Sequence, residues 1–153
     1  MKNLIYQIGK VLATGTLLVF ICSATVQAQE LALYERLGGY EAISAVVDDF
    51  ADRLFSDPTV GKRFFGMSDD SRAGFKQKNK NLVCAATGGP CKIISRDAKT
   101  THGGLGIKAS EFDIVAGHLA DVLNEFNVPK KEQDDIMTII ASLRPDIVEK
   151  EGE

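Results

Sequence analysis

The chain has 153 residues, 44% of them apolar and 25% charged, and its 21 acidic against 18 basic side chains give a net charge of −3. That length suits one domain with a sizeable core and is too short for two. A mildly acidic chain without a basic stripe argues against nucleic acid, whose phosphates demand clustered Lys and Arg, and the two histidines, His102 and His118, leave a multi-imidazole zinc centre short of ligands.

At the amino terminus Lys2 and Lys10 precede an uncharged apolar run, Val11 to Ser23, that leads to Val26-Gln27-Ala28. This is the pattern of a secretory signal spanning residues 1–28, cut after the small residue Ala28, and it predicts export to the periplasm or the medium. Thr14, Gly15 and Thr16 interrupt the run, which falls short of the roughly 20 apolar residues of a spanning helix. Lipidation at Cys22 is disfavoured because Ile21, not a small residue, precedes it. Cleavage leaves residues 29–153 and, with both lysines gone, a net charge of −5.

Beyond the leader the apolar period is helical nearly throughout. Gly38-Gly39 marks a turn, after which Ile43, Val46, Val47, Phe50 and Leu54 form a first stripe that ends at Asp57-Pro58. From Asp70 to Ala86, Phe75, Asn79, Leu82, Val83 and Ala86 keep a helical spacing in a very polar segment, as a narrow-striped wall over a ligand would. Lys76, Lys78 and Lys80 within it read as a solvated face. Removing Cys22 leaves Cys84 and Cys91, an even count in an oxidising compartment, and predicts a disulfide around Gly88-Gly89-Pro90; two free buried thiols are the alternative in a reducing one.

Lys92-Ile93-Ile94-Ser95 alone makes no sheet. Ser110, three residues before Asp113, reads as a cap for a second stripe, Phe112, Val115, Ala116, Leu119, Val122, Leu123 and Phe126. After Val128-Pro129 comes a third stripe, Ile136, Ile139, Ile140, Leu143 and Ile147, with Pro145 expected to bend or shorten its last turn. Glu149-Lys150-Glu151-Gly152-Glu153 reads as frayed and solvated.

His102 stands just before Gly103-Gly104-Leu105-Gly106-Ile107, and one imidazole fixed at such a turn can hold a haem iron from one side. Its polar neighbours Lys99, Thr100 and Thr101 equally suit a surface histidine. His118 reads as an edge histidine of a packed helix.

Four pieces in order carry a resemblance: Leu33-Tyr34-Glu35-Arg36-Leu37-Gly38-Gly39, Phe64-Phe65, Gly88-Gly89-Pro90 and His102-Gly103-Gly104-Leu105-Gly106-Ile107, followed by Val115-Ala116-Gly117-His118-Leu119-Ala120-Asp121. From about Leu31 to Val148 the chain resembles the group I truncated haemoglobins. The resemblance implies an all-α fold, a truncated-globin sandwich of two helices over two around one haem b per chain. It places the proximal iron ligand on His102, with the opposite ring N–H fixed by a nearby acceptor. It also places Phe65 on the haem face with Phe64 as neighbouring core, and Phe75 and Asn79 on the distal side with Gln77 and Lys78 beside them. Arg96 and Lys99, within one or two turns of His102, suit the haem propionates and equally suit ordinary solvated cations. Lys78 sits where some relatives use a second iron ligand, which would require the amine to lose its proton.

The chain departs from the family pattern on the distal side. Where the family often has a ligand-bonding tyrosine, this chain has Ala51, which leaves Asn79 as the candidate donor.

The function implied is reversible binding of a diatomic gas, oxygen first and nitric oxide second, with carbon monoxide as a further ligand and oxygen transport as a role. Nitric oxide dioxygenation is the enzymatic possibility. It requires a partner reductase, since no glycine fingerprint for a nicotinamide or flavin is present. Two alternatives stand beside this: a haem carrier or sensor that keeps His102, and a small helical interaction module whose interior is filled by side chains.

Overall fold

The structure, a computed structural model, describes residues 30–152. The expected leader and its cut lie outside the described residues. Among these the elements are α1 (Leu33–Arg36), α2 (Gly39–Ser56), a 3₁₀ turn (Val60–Phe64), α3 (Asp69–Ala86), α4 (Ala98–His102), α5 (Ala109–Glu125), α6 (Lys130–Ser142) and α7 (Arg144–Ile147). There is no strand among them, only an isolated bridge between Lys108 and Lys150. No helix of the described residues is long and apolar enough to cross a membrane.

α2 packs on α3 to make one pair, α5 packs on α6 to make the other, and α2 crosses onto α5, so that two helices lie over two. The first stripe supplies Ile43, Val47 and Leu54 to the core, and the second supplies Phe112, Val122 and Leu123. The third stripe breaks where expected: α6 ends at Ser142, and Pro145 lies in the first turn of α7, where its missing N–H costs nothing.

The very polar segment is helical throughout, as its spacing predicts. Ser68 caps α3 by accepting from the Ser71 N–H at 3.2 Å, and the acidic Asp69 and Asp70 favour its positive end. The lysines of this helix are not one solvated face. Lys76 and Lys80, one turn apart, reach Asp52 and Asp48 of α2 at 2.8 Å each, while Lys78 turns the other way.

Cys84 and Cys91 are joined by a disulfide with Cα atoms 5.8 Å apart. The turn between them admits only glycine at position 89, because a Cβ there would lie 2.4 Å from the Tyr34 ring and 2.7 Å from Cys84 Sγ.

Two local expectations are corrected. α5 begins at Ala109, one residue before the expected cap Ser110, and the Glu111 carboxylate in its first turn reaches back to accept the Lys108 N–H at 2.9 Å. The carboxyl-terminal residues are not all frayed, since Glu149 and Lys150 both donate backbone N–H bonds to Ile107 O, at 2.9 and 3.1 Å.

Candidate functional site

A cavity of about 580 Å³ opens between the two helix pairs, within the roughly 300–1,000 Å³ range of small-molecule sites. Phe50 and Leu54 of α2 form its roof, Phe75, Asn79 and Leu82 of α3 one wall, and Phe112 and Val115 of α5 its floor. Ile140, Leu143 and Ile147 close the far side, and α4 with the segment leading to it forms the opposite wall. The lining is mostly apolar, so a large flat hydrophobic group would be drawn in by area burial.

His102 is the last residue of α4 and lines this cavity. Five residues make a weak helix, and its start is fixed by Asp97, which accepts the Thr100 N–H at 2.8 Å and the Thr100 hydroxyl at 2.7 Å. Those bonds, the backbone one foremost, hold the Asp97 carboxyl below its usual range. One turn along, His102 Nδ1 lies 2.8 Å from Ala98 O. A carbonyl oxygen can only accept, so Nδ1 carries the hydrogen; in the neutral ring that leaves the lone pair on Nε2, the tautomer in which an imidazole binds a metal through that nitrogen.

Beyond His102 the chain turns through Gly104 and Gly106, at φ +81° and +61°, a region that favours glycine. The carboxylate of Glu149 accepts both of their N–H groups. These bonds, with Gly104 foremost, keep its carboxyl below the ordinary range.

On the opposite wall Asn79 Nδ2 donates to Phe75 O at 2.9 Å, leaving its second N–H and its carbonyl oxygen for the cavity. Lys78 also lines the cavity. Gln77 does not, because its Nε2 donates to Tyr40 Oη at 2.7 Å and to Asn81. Ala51 is fully buried at 0% exposure and offers no donor from α2.

Two residues expected beside the haem lie off the cavity lining. Phe65 is 94% exposed, while its neighbour Phe64 stacks edge-on with Phe55 and Phe75, ring centres 5.2 and 5.3 Å apart. The 3₁₀ turn ends at Phe64 and Phe65 leaves it in extended conformation, so only the first of the pair faces inward. Lys99, on α4, is exposed and does not line the cavity, whereas Arg96 does.

Several lining residues escaped sequence reading: Ile93, Ser95, Thr101 and the pair Arg63–Glu111. Arg63 Nε donates to Glu111 Oε1 at 2.8 Å and Nη1 to Leu105 O at 2.9 Å. Glu111, three residues after Lys108, had a readable signal as a reciprocal cap. Arg63 had none, because its partner lies 48 positions away.

No cluster of three or more metal-ligating side chains occurs among the described residues, so His102 is the one imidazole facing the cavity and a group bringing its own metal suits it better than a bare ion. Residues 32–149 match the bacterial-like globin family. The chain belongs to that family.

This globin is 35% identical over 126 residues to the group 1 truncated hemoglobin GlbN of Mycolicibacterium paratuberculosis, covering 82% of this chain and 90% of that one. Among solved structures it is similar to the 2/2 hemoglobin of Synechococcus sp. PCC 7002, in the cyanomet state with covalently attached heme (TM-score 0.71, 28% identity, 78% of this chain and all of that one). It is also similar to the Fe(III) truncated hemoglobin of Tetrahymena pyriformis (TM-score 0.70, 25% identity, 77% and 98% covered). Globins of this family bind diatomic gases at haem b. The cavity fits that group, having apolar walls, adequate volume, one imidazole with a free nitrogen and cationic Arg96 beside it.

Proposed function

We propose that this globin holds one haem b through Nε2 of His102 and takes a diatomic gas, oxygen first and nitric oxide second, on the side facing α3. The observation that carries the reading is the His102 ring, its Nδ1 committed to Ala98 O and its Nε2 left free at an apolar cavity. When bound, the haem supplies an iron that takes the gas and changes oxidation state by one electron.

The chain's own residues do the rest. The Ala98 carbonyl fixes the ring's tautomer and orientation. Phe75, Leu82 and Val115 line the cavity and would exclude water from a bound haem. Asn79 keeps one N–H for a bound gas, and Lys78, which lines the same cavity, is the side chain that would supply a second ligand to the iron. Arg96 at the cavity would neutralise a haem propionate, with exposed Lys99 adding positive charge at longer range.

With a donor reductase as partner, the activity assigned is dioxygenation of nitric oxide; without one the globin carries oxygen. The leader pattern of residues 1–28 supports export to the periplasm or the medium. An interior open at about 580 Å³ weighs against a cofactor-free helical module, whose interior would be filled.

Haemin titration of the chain and of His102→Ala, followed in ferric, ferrous and carbon monoxide forms, tests the reading. A stoichiometric Soret band that moves with carbon monoxide and is lost in His102→Ala is expected, and split ferrous bands before gas addition would assign Lys78. Equal binding by the variant would sink it.

A further inference from the structure

We infer that Glu149 is a positioning residue for His102, holding the turn behind α4 so that the imidazole keeps its place at the cavity. The inference rests on the proposed haem site.

α4 is five residues long and contains no buried residue. A helix of that length does not persist on its own, because nucleation is unfavourable and few bonds follow it. Its start is fixed by Asp97. Its end runs into the Gly103-Gly104 turn, where nothing in the local sequence stops the glycines from sampling other conformations.

Arg63 holds the carbonyl side of this turn, donating to Leu105 O at 2.9 Å, and the restraint on its N–H side comes from the far end of the chain. Oε1 of Glu149 accepts the Gly104 N–H and Oε2 accepts the Gly106 N–H, so one carboxylate spans the turn. Behind it Ile107 O receives the N–H groups of Glu149 and Lys150, and Ala109 N–H donates to Lys150 O at 2.9 Å. α7 packs on α4, and its Ile147 lines the same cavity as His102.

The chemistry asks for a carboxylate. Two oxygens receive two diverging N–H groups at once, and the negative charge strengthens both bonds. A glutamine would offer one acceptor and present an N–H₂ to the other glycine. Because Glu149 is exposed, its removal leaves the glycine N–H groups to water and does not bury an unpaired group, so the loss falls on the geometry of the turn rather than on the fold. The Nδ1 bond to Ala98 stays within α4 and sets the ring relative to the helix; Glu149 sets the helix relative to the cavity.

The test compares the full chain with Glu149→Ala and Glu149→Gln, each loaded with haemin. Two quantities are read: the rate of haem transfer to excess apomyoglobin, and the iron–histidine stretching band of the ferrous form by resonance Raman. Glu149→Ala is expected to lose haem about tenfold faster with a shifted or broadened band, and Glu149→Gln to fall between, as outer partners of a metal ligand do. The melting temperatures of the unloaded chains should stay together. Unchanged transfer rates and an unmoved band overturn the inference. If the wild-type chain takes up no haemin or shows no iron–histidine band, the reading of His102 falls instead. Amide exchange at Gly104 and Gly106 in the unloaded chain then decides the clamp: faster exchange in Glu149→Ala upholds it, and equal exchange overturns it.

Discussion

The two walls that face each other across the cavity are built in opposite ways. α3, 18 residues long, has its own cap at Ser68, a buried Cys84, an aromatic cluster with Phe55 and Phe64, and two lysines paired to α2. α4, five residues long, is held by what surrounds it: the Asp97 cap, the disulfide upstream at Cys91 and the Glu149 carboxylate downstream. Packing and length fix one wall, and tethers fix the other. Mutations that leave the cavity untouched should therefore disturb the α3 side through global stability and the α4 side through the geometry of His102.

The largest expected effect removes the core common to both. Leu123 is 2% exposed, and Leu123→Ala should lower stability by about 3 kcal/mol, read from urea midpoints. Next, Cys91→Ser should cost about 2 kcal/mol and reproduce the wild type in reductant; if reductant leaves the wild-type midpoint where it was, the tether is idle.

A pair of cap deletions sharpens the contrast. Ser68→Ala should cost about 1 kcal/mol and leave the rate of haem loss alone. Asp97→Ala should barely move the melting temperature yet speed both haem loss and amide exchange across residues 98–102. Reversal of that pattern would dissolve the distinction between the walls.

The smallest effect is a pH dependence. The Asp57 carboxyl, bonded at 2.8 Å to His118 Nε2 and accepting the Val60 and Thr59 N–H groups, lies below its usual range, with the histidine bond the foremost cause. A depressed carboxylate adds stability that is complete above the ordinary aspartate titration near pH 4 and is lost as pH falls through the lowered folded value. Asp57→Asn should flatten that part of the acid limb in urea midpoints measured against pH.

What could be read in the sequence follows the same division. The stripes of α2, α5 and α6 were legible because burial enforces a helical period, and Pro145 announced the break before α7. The imidazole at His102 was legible as a motif. Three features were not. Phe64 and Phe65 are adjacent and chemically identical, and only the 3₁₀ geometry tells which one faces inward. The lysines of α3 read as one polar face because their partners Asp48 and Asp52 lie on another helix. The last residues read as frayed because their bonds run to a glycine turn more than 40 positions earlier. The first failure is one of local backbone geometry, and the other two concern interactions distant in sequence, which no local pattern encodes.

The disulfide and the Glu149 carboxylate pin the segment from Cys91 to Gly106 at its two ends, with His102 suspended between them. On the proposed reading, a change that loosens the Glu149 or Arg63 contacts of that span would weaken the grip on the cofactor while the helix pairs stay folded, since regions of a fold open locally at free energies below that of global unfolding.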